Sequence, residues 1–362
     1  MRDQQVASGS GVYPLRYVPG GSDQWAEAVL GLCPQGRLFV VTDERVWPLH
    51  GEDFVRRLQA TGREVFAVVL AGGESGKHLE SVTEIWDRCL EAEIQRADTL
   101  VAFGGGVIGD LTAFAASTLL RGVSVIQMPT TLLAMADASI GGKTGFNRPQ
   151  GKNLIGTFWP PKAVLVPVAT LATLDAREIR SGLAEVVKSA WLSGEVDVAW
   201  LEQSATGLRA RELTLLSEAA RRAASLKIAI VSDDEREADR RRWLNFGHTF
   251  GHAIEQIMGY GVWTHGEAVA VGMVMAQDLA VSLGIADARS AERLRLLLGS
   301  LDLPIETPAL PIEALRRSLG VDKKRRGDEV TFVLTRKPGE TLTYGLSWVQ
   351  VGAWLERRRS GS

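Results

Sequence analysis

Five short apolar runs rich in β-branched residues punctuate the first half of the chain: Leu38 to Thr42, Val65 to Leu70, Leu100 to Phe103, Val123 to Met128 and Ala163 to Val166. Runs of this kind predict strands, and stretches with helical spacing separate most of them. Strands alternating with helices predict a parallel sheet wound with helices, which binds ligands beyond the carboxyl ends of its strands. The texture changes after Pro160, Pro161 and Pro167. From about Leu171 to Ala286 the spacing is almost wholly helical, with charged residues filling the polar faces. Near the end, EVTFVL and ETLTYGL flank a Lys-Pro-Gly turn and predict a hairpin, followed by a last helix through Trp348 and Trp354. The expected fold is an α/β N-terminal domain with a parallel sheet over 1–168, then a mostly α-helical C-terminal domain over 169–362. No repeat or low-complexity segment interrupts it.

The length, 362 residues, agrees with two domains at about 150 residues each. A hydrophobic fraction of 45%, a charged fraction of 23% and a formal charge of −2 argue against disorder and against a surface for polyanions, so nucleic acid is not an expected partner. Arg240 to Arg242 and Arg357 to Arg359 are balanced by nearby acids and are expected as solvated helix faces or a frayed tail. Cys33 and Cys89 lack metal-ligand spacing, which points to a reducing compartment and thiols that only pack. MRDQQVASGSGVYPL has no basic region followed by an apolar one, so a secretory signal is not expected. The apolar run Ala268 to Ala276 is far shorter than the roughly 20 residues a membrane helix needs. No membrane association is expected, and the location is expected to be cytoplasmic.

Candidate chemistry concentrates in NFGHTFGHAIEQIMGYGVWTHGE, which holds His248, His252 and His265, with Glu267 adjacent. Clustered imidazoles point to metal binding, proton transfer or both. His248 and His252 are four apart, which puts both rings on one helical face, and the glycines before His265 predict a turn that folds it back. By spacing alone, His248 and His252 form a ligand pair. In LVAFGGGVIGDLTAF, Gly104, Gly106 and Gly109 make a GxGxxG between a strand and a helix, the context for a dinucleotide pyrophosphate. The acid usually found about 20 residues on is missing, since the next strand ends at Gln127, Met128 and Pro129. Asp43 and Glu74 end other strands, where they suit either ribose hydroxyls or turns. SIGGKTG resembles the tail of a triphosphate-binding loop, but the first glycine of that motif falls on Asp137, which excludes it. Lys143, Lys152 in a glycine-flanked GKN loop, and Lys188, three residues after Glu185, point to an anionic ligand.

Taken together and in order, GGGVIGD, RGVSVIQMPTTLLAMADASIGGKTG, GKNLIG, SGLAEVVK, DERE, LNFGHTFGHAIE and HGEAVA resemble the 3-dehydroquinate synthase family of sugar phosphate cyclases. The resemblance runs from about Val40 to Lys324. It implies an NAD-binding α/β domain, a helical domain, one divalent metal (zinc or cobalt) and a homodimer. It further implies Glu185, His248 and His265 as metal ligands, with His252 beside the substrate phosphate instead of on the metal. Asp43, Glu74, Lys77, Gly105, Gly106, Val107, Asp110, Thr130, Thr131, Thr173, Leu174 and Glu178 match positions around NAD, with Lys152 and Asn153 close by. Asp137, Lys143, Lys188, Lys227, Arg241, Asn245, Lys323 and Lys324 match positions around the substrate, and Arg121 resembles an arginine contributed by the partner subunit. The implied reaction converts 3-deoxy-D-arabino-heptulosonate 7-phosphate to 3-dehydroquinate and phosphate, borrowing a hydride and returning it.

Three positions depart from the family pattern: Ala138 and Asp175 stand where a serine and a proline are common, and Arg45 where some members have asparagine. The rival readings are a sugar phosphate cyclase of secondary metabolism, a metal-dependent polyol dehydrogenase, and a silent subunit that keeps the fold for assembly. The retained lysines with Arg241 and Asn245 favour the carboxylate-bearing substrate.

Overall fold

A computed structural model describes residues 3–9, 11–234, 240–259, 261–320 and 329–360. It divides into two compact units, Met1–Ile179 with Leu216–Glu235, and Arg180–Leu215 with Arg236–Ser362. Lys323, Lys324 and most of the DERE motif lie outside the described residues.

The first unit is built on a seven-stranded sheet in the order β1-β2-β9-β6-β5-β3-β4. All five runs expected as strands are in it: β3 (Leu38–Asp43), β4 (Val65–Leu70), β5 (Thr99–Gly104), β6 (Ser124–Pro129) and β9 (Ala163–Pro167). They pair in parallel, as does β2 (Gly11–Val18) on β9; only β1 (Gln4–Ser8) runs antiparallel. Strand β3 shows why the sequence forms a central strand. Phe39 and Val41 enter one apolar core with residues of α3 (Leu79–Glu91) and α4 (Gly106–Thr118), while Leu38 and Val40 enter the other with α1 (Ser22–Leu32) and α2 (Glu52–Ala60). Both faces are covered, so the run is continuously apolar and does not alternate.

From β3 the chain goes to β4 on one side, then returns to β5 on the other. The winding reverses between β3 and β5, which makes the crevice at their carboxyl ends the expected ligand position of such a sheet. The GKN segment is not a loop. Gly151–Phe158 forms β8, paired antiparallel with β7 (Lys143–Arg148) in a separate two-stranded ribbon. Helix α7 (Leu213–Asp233) is placed mainly with this unit, where Ser225 Oγ accepts from Gln4 Nε2 at 2.6 Å.

The second unit is mainly helical: α5 (Ala176–Ser193), α6 (Glu195–Arg209), α8 (His248–Met258), α9 (His265–Ser282), α10 (Ala288–Ser300), α11 (Ile312–Gly320) and α12 (Trp348–Ser360), with the hairpin β10 (Glu329–Lys337) and β11 (Glu340–Ser347). The hairpin is tied in by a buried chain in which Trp191 Nε1 donates to Thr335 Oγ1 at 2.9 Å and Thr335 donates to Gln277 Oε1 at 2.6 Å. The apolar run Ala268 to Ala276 is the buried interior of α9. Among the described residues no helix is long and apolar enough to cross a membrane. Cys33 and Cys89 are free and buried.

Candidate metal centre and nucleotide cradle

Three helices of the second unit converge through glycines. A Cβ on Gly266, in the first turn of α9, would lie 2.0 Å from Ser181 O on α5. One on Gly272 would lie 2.0 Å from Gly247 O, at the start of α8. Only glycine permits contacts this close, and the backbones of α5 and α8 therefore come up against α9. Gly247 itself sits at φ +79°, the left-handed conformation that lets the chain turn into α8. Glu267, adjacent to the histidines, is accounted for by the same helix start. Its N–H donates to Thr264 Oγ1 at 3.2 Å and its carboxylate accepts from Thr264 N at 2.8 Å, a capping box that fixes the first turn of α9 and with it His265.

The convergence brings Glu185 of α5, His248 of α8 and His265 of α9 together. His248 Nε2 is 3.5 Å and His265 Nε2 is 3.3 Å from Glu185 Oε1. Lys188 ion-pairs with the other Glu185 oxygen. Both Glu185 oxygens are buried, and neither accepts a hydrogen bond of ordinary geometry. Each histidine is held from behind: His248 Nδ1 lies 3.2 Å from Phe246 O, and His265 Nδ1 lies 3.2 Å from Glu255 Oε2. Four ligands around a zinc-like ion with bonds near 2.0–2.1 Å sit roughly 3.3–3.4 Å apart in a tetrahedron. The separations from Glu185 Oε1 match that spacing, and one oxygen with two imidazole nitrogens suits zinc or cobalt. His252, Glu255 and His265 make a second group of ligand atoms within 4.8 Å of one another. His252 is the exposed member, its ring centroid 5.3 Å from that of His248.

The electrostatics follow from burial and from this crowding. Burial raises the Glu185 carboxyl, but Lys188 and the two histidines outweigh it and hold the acid well below the usual range. Burial and the Lys188 ammonium push His248 well below an ordinary imidazole. His265 also suffers from burial, yet the Glu185 and Glu255 carboxylates overcome this and raise it to about 9. A ligating imidazole is neutral, so a divalent cation at this centre would displace one of the His265 ring protons.

In the first unit, α4 begins directly after β5 at the sheet's carboxyl edge, with Gly105 as its N-cap and no side chain occupying the cap. A Cβ on Gly105 would come 3.1 Å from Thr131 Cγ2, and one on Gly106 3.2 Å from Ala138 Cβ. Glycine avoids both contacts, and the first turn of α4 is left without a side-chain cap, which suits a helix start that binds a pyrophosphate. Nearby, Lys77 Nζ pairs with Asp110 Oδ2 at 2.6 Å, and Glu74 Oε1 accepts from Asn147 Nδ2 at 2.6 Å with Lys152 Nζ at 3.7 Å. Burial raises the Asp110 carboxyl, an effect opposed by Lys77. Asn153 N donates to Asn147 Oδ1 at 3.0 Å, at a residue with φ +52°. Asp43 Oδ1 accepts from Arg45 N and Val46 N at 2.9 and 3.0 Å, so this acid builds the turn that places it at the crevice. Thr131 Oγ1 accepts from Ala134 N at 3.2 Å, and Thr173 Oγ1 meets His50 Nε2 at 2.7 Å. Thr130 is buried beside Gly104, with its N–H on Gly104 O at 2.9 Å. Val107, Leu174 and Glu178 are half-buried.

Of the residues matched to the substrate, Lys227 Nζ lies 2.9 Å from Asp137 Oδ1 and donates to Asp137 O at 2.7 Å. Lys143 is exposed at the start of β7, and Arg121 is exposed at φ +66° just past α4. Arg241 is 3% exposed within a 3-10 turn, Arg240–Asn245, so this member of the run is buried while Arg240 is exposed and Arg242 half-buried. Asn245 ends that turn, half-buried. An open cleft of about 450 Å³, lined by Tyr13, Arg96, Trp159 and Lys162 among others, lies at the amino ends of β6 and β9. None of the expected site residues lines it, and it faces away from the helix N-terminus at the carboxyl edge. Missing from the sequence reading were Asn147, which ties Glu74 to Asn153, and Glu255. The signal for Glu255 was present: it follows His248 by seven residues, two helical turns.

Comparison with known proteins places these features in a family. Residues 67–181 match the family model "3-dehydroquinate synthase N-terminal" and residues 182–325 match "3-dehydroquinate synthase C-terminal". A 3-dehydroquinate synthase of Azotobacter vinelandii is 44% identical over 346 residues, covering 95% of this chain and 94% of that relative. Among solved structures, 2-epi-5-epi-valiolone synthase from Streptomyces hygroscopicus subsp. jinggangensis, with NAD+ and Zn2+ bound, superposes with a TM-score of 0.86 at 29% identity, over 99% of this chain and 100% of that one. A 2-deoxy-scyllo-inosose synthase complexed with carbaglucose-6-phosphate, NAD+ and Co2+ gives a TM-score of 0.87 at 23% identity, over 97% and 98%, a likeness of fold alone.

Proposed function

The chain belongs to the 3-dehydroquinate synthase family, and from that premise we propose that it converts 3-deoxy-D-arabino-heptulosonate 7-phosphate to 3-dehydroquinate and inorganic phosphate as an NAD- and divalent-metal-dependent lyase acting as a homodimer in the cytoplasm. Glu185, His248 and His265 hold the metal. The amides at the start of α4 hold the NAD pyrophosphate, with Asp43, Glu74, Lys77, Gly105, Gly106, Val107, Asp110, Thr130, Thr131, Lys152, Asn153, Thr173, Leu174 and Glu178 around the cofactor. When bound, NAD supplies a reversible oxidation that acidifies the proton beside the phosphate ester, and the metal polarises the hydroxyl concerned.

The remaining work falls to the chain's own side chains. Asp137, Lys143, Lys188, Lys227, Arg241, Asn245 and His252, together with Lys323 and Lys324, are assigned to the substrate's carboxylate, hydroxyls and phosphate. Arg121 is assigned to the phosphate of the partner's substrate. Cations at those positions fix a dianionic phosphate and a carboxylate in one orientation and stabilise negative charge as it develops on oxygen. Held this way, the substrate's own phosphate takes the proton and then leaves, so no side chain has to act as the base. Proximity of that kind lowers barriers by about 7–11 kcal/mol in well-oriented cases. The net reaction is redox-neutral.

The observation that carries this reading is the convergence of one buried carboxylate oxygen and two imidazole nitrogens at 3.3 and 3.5 Å, on a chain 44% identical to a 3-dehydroquinate synthase. The test is a substrate panel with product identification. Turnover of the heptulosonate phosphate to 3-dehydroquinate, without turnover of sedoheptulose 7-phosphate, supports the assignment; the reverse preference would move the chain to the cyclases of secondary metabolism. Net accumulation of NADH from polyols would point instead to a dehydrogenase.

A further inference from the structure

Glu255 has no part in the assignment above. It is 4% exposed on α8, seven residues after His248 and three after His252, so the three side chains share one face of the helix. A carboxylate so deeply buried requires a partner. Its Oε2 lies 3.2 Å from Nδ1 of His265, at the start of α9. The His265 ring is thus bracketed by two acids, with Glu255 behind Nδ1 and Glu185 Oε1 3.3 Å from Nε2. An ionised carboxylate only accepts, and a neutral imidazole carries one proton. In the neutral ring that metal ligation requires, Glu255 therefore selects the tautomer protonated at Nδ1, with the Nε2 lone pair toward Glu185 and His248. His248 reaches the same state by other means, its Nδ1 facing the Phe246 carbonyl.

We propose that Glu255 is a positioning residue for the metal centre, fixing the tautomer and orientation of His265. The inference rests on the Glu185, His248 and His265 ligand set, and it also separates that set from the rival group of His252, Glu255 and His265. His265 Nδ1 cannot donate a proton to Glu255 and bind a cation at once. The two histidines are also unequally supported, His265 by a charged acceptor and His248 by a neutral one. A hydrogen bond to an ionised acceptor holds the ring more strongly than one to a neutral carbonyl, so loss of Glu255 falls on metal affinity.

The test compares wild type, Glu255→Gln and Glu255→Ala after metal removal. Zinc affinity is read by competition with a chromophoric chelator, and the ligand field from the visible spectrum of the cobalt-loaded protein. Glu255→Gln keeps the shape and an acceptor but loses the charge; its zinc affinity is expected to fall about tenfold to a hundredfold. Glu255→Ala is expected to fall further, with saturation still at one metal per chain in both variants and a shifted cobalt spectrum. Affinity and spectrum equal to wild type in both variants, even with a lowered melting temperature, would reduce Glu255 to a packing role. Loss of the metal in Glu255→Gln alongside its retention in His248→Ala would make Glu255 a ligand of the rival group. A wild type that binds no metal would overturn the ligand set and this inference together. If Glu255→Ala does not fold, the near-isosteric glutamine variant carries the comparison.

Discussion

Gly266 lies so close to Ser181 that a side chain on it would meet the Ser181 carbonyl oxygen at 2.0 Å, while Gly266 N donates to Ser181 Oγ at 3.1 Å. The contact fixes α9 against α5 one residue from His265 and four from Glu185. Gly266→Ala must part the helices, an overpacking cost of about 1–3 kcal/mol or more. The expected result is a lower melting temperature together with weakened zinc binding, measured on the same preparation. Wild-type metal affinity in a folded Gly266→Ala protein would show that the close approach does not position the ligands.

His265→Ala and His252→Ala separate the two readings of the histidine cluster. His265→Ala is expected to lose both metal and turnover while keeping its circular dichroism. His252→Ala is expected to keep one metal per chain, with kcat/KM lower by about 10- to 100-fold, the value of one hydrogen bond to a charged group. Metal analysis decides: loss of metal in His252→Ala would restore the pair that helical spacing alone suggested.

Acid stability of the first unit depends on Asp98. Its side chain is 3% exposed and accepts from Arg37 N and Gln95 N, both at 2.7 Å, and from the Arg37 guanidinium. Burial pushes this carboxyl up, but the hydrogen bonds and the guanidinium more than offset it, and the folded pKa lies below the ordinary value. A depressed folded pKa gives stability that is complete above the unfolded value, near 3.9, and is lost as pH falls through the folded pKa. Asp98→Asn is expected to cost about 1.5–3 kcal/mol at neutral pH and to flatten the acid limb of the melting profile. Parallel profiles for the two proteins would contradict this.

Arg121 is exposed beyond the end of α4, and its assignment to the partner's site predicts complementation. Arg121→Ala and His265→Ala are each expected to be inactive. Mixed dimers would regain one intact site, because one chain supplies the metal ligands and the other the arginine. Activity that stays absent on mixing, with subunit exchange verified, would place Arg121 in its own subunit's site or in none.

The parallel core of the first unit was legible because β3, β4, β5, β6 and β9 are short runs of β-branched and aromatic residues, a pattern that buried strands impose. Strands β1 and β2 were not, since QQVAS is half polar and β2 contains Pro14, which normally argues against a strand. The β7 and β8 ribbon was hidden in the same way: its lysines and glycines resemble a loop, and residues 153–156 are exposed on both faces, so no alternation marks them. At the candidate metal centre, sequence spacing pairs His248 with His252. Convergence on Glu185 depends on how closely α5, α8 and α9 approach, a tertiary property written only in the positions of Gly247, Gly266 and Gly272. Glu267 and Glu255 show the same limit from opposite sides. The acid next to His265 in sequence caps a helix, and the acid ten residues away holds its ring.

Redox-neutral elimination is measured by giving the purified protein 3-deoxy-D-arabino-heptulosonate 7-phosphate with NAD and zinc while following phosphate and NADH together. Stoichiometric phosphate release and 3-dehydroquinate formation with no net NADH are the expected result. Steady accumulation of NADH, or no phosphate from this substrate with either zinc or cobalt, would contradict it.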